Sequence, residues 1–279
     1  MIYLEGESIV WLLLILFLRQ DIPLNPHIHF LFFSCLHLTL AADAGGGNQE
    51  DTLRVLKFGP SMSFVNVDTS THAGIMRAKT LNLASSGLAD AVISPLLHEA
   101  STLFSPTRRG RMFTIFRHPV DRAASLFYFI QETQWKQPET RNDQFADITI
   151  QKFYKQGFAE NNWMTRFLTN ELTKGELDDN DLNIAKEILR KKCLVGLLEE
   201  KGETLERIQK YFGWRPKNEE DQNCLEKKLE WTWPMKHKHP KVEHDSRAWR
   251  LIAAANKYDM KLYEYAKELF ELQGRELFP

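Results

Sequence analysis

One run of residues constrains the fold more than any other: RMFTIFRHPVDRAASLFYFI, 111–130. Residues 111–116 carry four apolar side chains in six, the pattern of a buried strand. Two residues later Pro119 opens a helix at the one position where its missing N–H is no loss. Val120, Ala123, Ala124, Phe127 and Ile130 then recur at helical spacing and give that helix a buried face. A buried strand that turns this tightly into a helix predicts a βα unit, and βα units build parallel sheets with crossover helices.

The rest of the chain repeats the alternation. Residues 53–58 and 63–68 read as short strands, 71–87 as a helix from Thr71 to Gly87, and 89–97 as a strand entering a loop with His98 and Glu99. Two helices are expected over 145–157 and 160–172. A third, over 178–192, has an acidic start and a basic end. Residues 193–200 read as a strand, 203–214 as a helix, and 246–274 as two helices broken near Asn256–Asp259. The expected fold is α/β, three-layered around a central parallel sheet.

Composition sets limits. The chain has 279 residues, enough for one large domain or two small ones. Its 36 basic and 37 acidic side chains leave a net charge of −1, which argues against a general nucleic-acid binder. Any anion site must therefore be local. Of the three cysteines, Cys193 and Cys224 either bridge in an oxidising compartment or remain two unrelated buried thiols. Residues 1–47 differ from the remainder: 9–18 and 28–42 are apolar, and neither run is long enough to span a bilayer unaided. The segment reads as a membrane anchor or signal through residues 9–42, or as a disordered leader. The glycine-rich stretch 44–51 leads from it into a folded domain over 48–279.

Charge is concentrated where the helix starts. Arg117 and His118 precede Pro119, Arg122 lies in the first turn, and Arg108, Arg109 and Arg111 stand upstream. A helix N-terminus is already partly positive, so cations there are unfavourable unless an anion joins them. The strand's carboxyl end is also the edge where open α/β sheets bind ligands. His118, Arg122 and Ser125 fall on one helical stripe beside the small Ala123 and Ala124. An Arg fork and a Ser hydroxyl suit a phosphate. The bland alternative is solvated surface charge, with Arg117 and Arg122 paired to Asp121 or other acids.

FTIFRHPVDRAASLFYF resembles the 3′-phosphate-binding segment of P-loop-fold sulfotransferases that use 3′-phosphoadenosine 5′-phosphosulfate, and most of all the Golgi-type carbohydrate sulfotransferases. NNWMTRFL (161–168), residues 182–214 and the KHKHPKV stretch (236–242) are similar to later blocks of that family. The resemblance covers about residues 60–275. It implies that Arg117 and Ser125 hold the donor's 3′-phosphate, with Arg122 the second Arg of the pattern and Lys236 or Lys238 a contact from a basic closing loop. It further implies sulfuryl transfer to a hydroxyl, most naturally of a carbohydrate, in the Golgi lumen. Sulfuryl transfer needs a base; by the same resemblance His98 fills that role, with Glu99 second.

One family signature is missing. The phosphosulfate loop, Pro-Lys-x-Gly-Thr-Thr, has no match; the nearest stretch, KFGPSMS (57–63), puts Pro60 where amide donors are wanted. The expectation is a fold that lacks its first strand–loop–helix unit, and the alternative function is a truncated, inactive relative. His237, His239 and His244 lack further ligands at metal spacing, so no metal is expected. Trp231, Trp233 and Trp249 are read as core, or as platforms for a sugar.

Overall fold

The computed structural model describes residues 11–13, 35–42, 51–58, 62–136, 145, 147–232 and 240–279. It is mixed α/β and divides into two compact units: 1–115 with 192–196 and 202–234, and 116–191 with 197–201 and 235–279.

The first unit is built on a sheet of seven strands, the last residues of the final two excepted: β1 (Trp11–Leu13), β2 (Thr39–Ala41), β3 (Val55–Phe58), β4 (Met62–Val65), β5 (Ala91–Ile93), β6 (Met112–Phe116) and β7 (Cys193–Leu197). The order is β3-β4-β2-β5-β1-β6-β7. β1 runs parallel to both β5 and β6, with Leu12 opposite Val92 on one side and Met112 on the other. β2 runs parallel to β4 and β5. Only β3–β4 is an antiparallel pair among the registers described, with Leu56 opposite Phe64.

Two sequence expectations change here. Residues 11–13 and 39–41, read as parts of a hydrophobic N-terminal segment, are strands, and β1 lies inside the sheet between β5 and β6. A short continuous apolar run is compatible with an anchor and with a strand buried on both faces, and pairing decides between them. The remaining residues of the 9–42 anchor reading lie outside the described set. Among the described residues no helix is long and apolar enough to cross a membrane. Second, Lys57 sits on β3 and Ser63 on β4, so these two residues pair across antiparallel strands rather than flanking a strand-to-helix loop.

Helices α1 (His72–Thr80), α2 (Leu83–Ser86), α3 (Leu97–Ser101), α8 (Lys201–Phe212) and α9 (Glu219–Thr232) belong to this unit, apart from Lys201. Thr71 caps α1 by accepting the Gly74 N–H at 3.1 Å. Asn82 takes the left-handed conformation, φ 55°, and splits the helix expected over 71–87 into α1 and α2. All five residues of β7 are buried. Gly196 lets α8 approach β7 closely: a Cβ there would stand 2.3 Å from the Thr204 Cγ2. The disulfide joins Cys35 to Cys224, not Cys193 to Cys224, and Cys193 is a buried thiol outside it. His37 Nε2 lies 2.9 Å from Asp221 Oδ1, so a polar contact stands beside the bridge.

The second unit is helical: α4 (Pro119–Lys136), α5 (Ile150–Lys155), α6 (Trp163–Thr169), α7 (Asp179–Lys192, its last residue excepted), α10 (Arg247–Ala255) and α11 (Lys257–Leu277). Its core joins Val120, Ala123, Ala124 and Phe127 of α4 to Ile150 and Phe153 of α5 and Ala248 and Ile252 of α10. Each fully buried aliphatic or aromatic side chain in such a cluster contributes about 1.5–3 kcal/mol.

Candidate functional site

The site is assembled where β6 hands over to α4. The Phe116 carbonyl accepts the Leu198 N–H at 2.8 Å, which joins the exit of β6 to the first residue beyond β7. Arg117 follows, then His118, then Pro119 at the start of α4. His118 is the cap. Its Nδ1 accepts the Val120 N–H at 3.3 Å and its carbonyl accepts the Arg122 N–H at 2.9 Å. An accepting Nδ1 assigns the ring proton to Nε2. Asp121 lies in the first turn, where a negative charge favours the helix dipole.

Aromatic rings enclose His118. Its ring stacks on Trp249, 6.5 Å between centroids, and meets Tyr263 edge-on at 5.3 Å. His244 continues the file, 4.5 Å from Trp249. Burial holds the His118 imidazole below its usual value, against the pull of Asp121, Glu199 and Glu264. The His118 N–H donates to Glu199 Oε1 at 3.0 Å, and the Glu199 charge also acts on the Tyr263 phenol. Burial, with that carboxylate beside it, pushes the Tyr263 phenol up.

Arg117 is half-buried, and burial works against its charge; Asp121 and Glu199 favour the cation and Arg122 opposes it. Among the described residues its guanidinium makes no hydrogen bond or ion pair. Two carboxylates thus lie near this cation and neither clamps it. Among the described residues nothing takes its five N–H donors, which suit an oxyanion.

Arg122 is placed differently. It is 9% exposed, its Nη2 lies 2.6 Å from Glu160 Oε1, and its guanidinium covers the Trp163 ring at 5.3 Å. Nε and Nη2 make no aligned hydrogen bond, so the Glu160 contact is a buried charge pair with poor directionality. Arg122 is engaged in the core of its own unit rather than presented to a ligand. Ser125 is also buried, 6% exposed, and residues 122–125 are buried without a break. The polar stripe read from the sequence is therefore part of a helix enclosed on most sides.

His98 and Glu99 occupy the short helix α3 of the first unit, whereas Arg117, Arg122 and Ser125 belong to the second. The His98 carbonyl accepts the Ser101 hydroxyl at 2.6 Å, and the Glu99 carbonyl accepts the Thr102 hydroxyl at 2.8 Å. The strand before them is shorter than expected, Ala91–Ile93, so both side chains sit on the helix beyond it. Lys236 and Lys238, with His237 and His239, lie outside the described residues. Arg109 and Arg111 bond backbone carbonyls at Pro106 and Tyr211, and Arg108 closes a tight bridge with Ser105.

The Asn162–Arg166 spacing has a structural use. Arg166 is buried and donates to carbonyls of Asn161, Glu171, Lys174 and Gly175, fastening the turn after α6. Glu199 and Tyr263 went unread in the sequence. The available signal for Glu199 was an acid two residues beyond a buried strand; nothing local marks Tyr263.

No protein-family model matches the chain, and no curated protein matches it.

Proposed function

We propose that the chain binds 3′-phosphoadenosine 5′-phosphosulfate and transfers its sulfuryl group to a hydroxyl, most naturally of a carbohydrate, within a P-loop sulfotransferase-like fold. The observation that carries this reading is Arg117: a half-buried guanidinium at the carboxyl end of β6, next to the N-terminus of α4, with no hydrogen-bond partner among the described residues. Its fork and the helix amides suit a 3′-phosphate. Ser125 stands two turns along the same helix and would add its hydroxyl. In the transfer the acceptor oxygen bonds sulfur, the bond from sulfur to the phosphate oxygen breaks, and adenosine 3′,5′-bisphosphate leaves. His98 would take the acceptor proton, with Glu99 the second choice. Lys236 and Lys238 would close over the donor. The Cys35–Cys224 bridge supports folding in an oxidising lumen such as the Golgi.

A second reading, a nucleotide-binding relative without turnover, is favoured by one specific observation. β1 lies inside the sheet, between β5 and β6, yet the chain from 14 to 34 contains neither glycine nor lysine. The phosphosulfate end of the donor would there lack its usual amide-and-Lys cradle. One assay separates the two. The full chain is incubated with the donor and a panel of glycan acceptors, and release of adenosine 3′,5′-bisphosphate is followed. Acceptor-dependent release supports the transferase; binding without release supports the second reading; absence of binding overturns both.

A further inference from the structure

We propose that Glu199 is a positioning residue of the Arg117 anion site: it holds the Arg117–His118 peptide in place and supplies the counter-charge that an incoming oxyanion must outcompete. This rests on the donor-site reading of Arg117. Glu199 follows β7, whose five residues are all buried, so the strand's exit is a firm base. From that base Leu198 donates to the Phe116 carbonyl at 2.8 Å, and Glu199 Oε1 accepts the His118 N–H at 3.0 Å. The charge of the same carboxylate also acts on the Tyr263 phenol of α11. Tyr263 is itself buried and packed edge-on against the His118 ring. One carboxylate thus holds the turn between β6 and α4 at the residue that caps α4.

Position and charge are separable. Glu199→Gln keeps an oxygen for the His118 N–H and removes the charge. Glu199→Ala removes charge and acceptor together. With the counter-charge gone and the peptide still held, the anion meets a more positive site; with both gone, Arg117 loses its fixed base. The two variants therefore differ in affinity although their change in charge is the same. Glu199 itself is exposed, so the charge effect is modest and falls with salt.

The test uses the full chain, adenosine 3′,5′-bisphosphate as the probe, and calorimetry at low and high salt. Glu199→Gln is expected to bind about threefold tighter than wild type at low salt, with the gain shrinking at high salt. Glu199→Ala is expected to bind on the order of tenfold more weakly than Glu199→Gln. Equal affinity of the two variants overturns the positioning role. A nucleotide-free readout separates this inference from the donor reading: the His118 ring titration by NMR. The charges around that ring are Asp121, Glu199, Glu264 and Lys267, with Tyr263 in contact. Glu199→Gln is expected to move the His118 midpoint down, because the Glu199 charge favours the imidazolium. If wild type does not bind the bisphosphate, the donor reading fails. A lowered midpoint then still upholds Glu199 as the anchor of His118, and an unchanged midpoint overturns it.

Discussion

Asn162 and Asp259 cap each other's helices. Asn162, at the N-terminus of α6, accepts the Tyr258 and Asp259 N–H groups of α11 at 2.8 and 3.3 Å. Asp259, in the first turn of α11, accepts the Met164 and Thr165 N–H groups of α6 at 3.0 and 2.8 Å, and the Thr165 hydroxyl at 2.8 Å. Both residues are buried. Burial pushes the Asp259 carboxyl up, while Arg122 and the three donors act the other way. Asn162→Ala and Asp259→Ala each strip two orphan amides of their acceptor, and each is expected to cost about 2–3 kcal/mol in urea unfolding. Because the caps support each other, the double variant should fall short of the sum. Additive losses would contradict the reciprocal cap.

His118 makes the stability of its unit depend on pH. Burial, the main cause, depresses its folded-state value below the value of about 6.5 expected in the unfolded chain. The folded protein then binds the proton more weakly than the unfolded one. Stability contributed by this group is full above about pH 6.5 and is lost as pH falls from there toward the depressed folded value. His118→Asn keeps a side-chain oxygen for the α4 cap and removes the titration. Urea midpoints between about pH 5 and 8 should slope less in the variant than in wild type; matching slopes would contradict this role.

Gly196 sets how closely α8 lies on β7. The Thr204 Cγ2 would stand 2.3 Å from an added methyl. Gly196→Ala is expected to destabilise the chain by about 1–3 kcal/mol through overpacking. Thr204→Ser removes the clashing methyl while keeping the hydroxyl, so the pair should recover most of the loss. Thermal melts of the two single variants and the pair check this, and a pair no more stable than Gly196→Ala would refute it.

The Cys35–Cys224 bridge closes a loop of sequence separation 189. Mutating both cysteines to Ser is expected to cost about 2–5 kcal/mol. Cys193 is enclosed, and burial alone pushes its thiol up, which leaves it unreactive in the folded chain. With three cysteines in all, thiol titration should find none in the native protein, one after denaturation and three after denaturation with reductant.

Legibility followed the range of the interaction. The β6–α4 unit was plain because apolar runs and Pro119 encode it locally, and the strand and helix begin within a residue of where they were expected. The break near Asn256 was legible for the same reason. β1 and β2 were hidden because an apolar run carries no mark of its pairing partner. α9 was missed because its polar composition, rich in Glu and Lys, resembles a loop, whereas Leu225 anchors it inward at 2% exposure. At the site, Arg117 and its place beside a helix N-terminus followed from local order. The capture of Arg122 by Glu160 and the hold of Glu199 on the His118 N–H depend on contacts across 38 and 81 residues, which no local pattern encodes.

The most direct test is a calorimetric titration of the full chain with adenosine 3′,5′-bisphosphate, run beside Arg117→Ala and Arg122→Ala. Wild type should bind with a dissociation constant in the micromolar range (about −8 kcal/mol) and Arg117→Ala should lose on the order of a hundredfold, the loss expected for a charge-assisted bidentate contact. Arg122→Ala should chiefly lower the unfolding midpoint, since its partner is Glu160. Wild-type protein that does not bind the bisphosphate, or that binds it as well without the Arg117 guanidinium, would contradict the account.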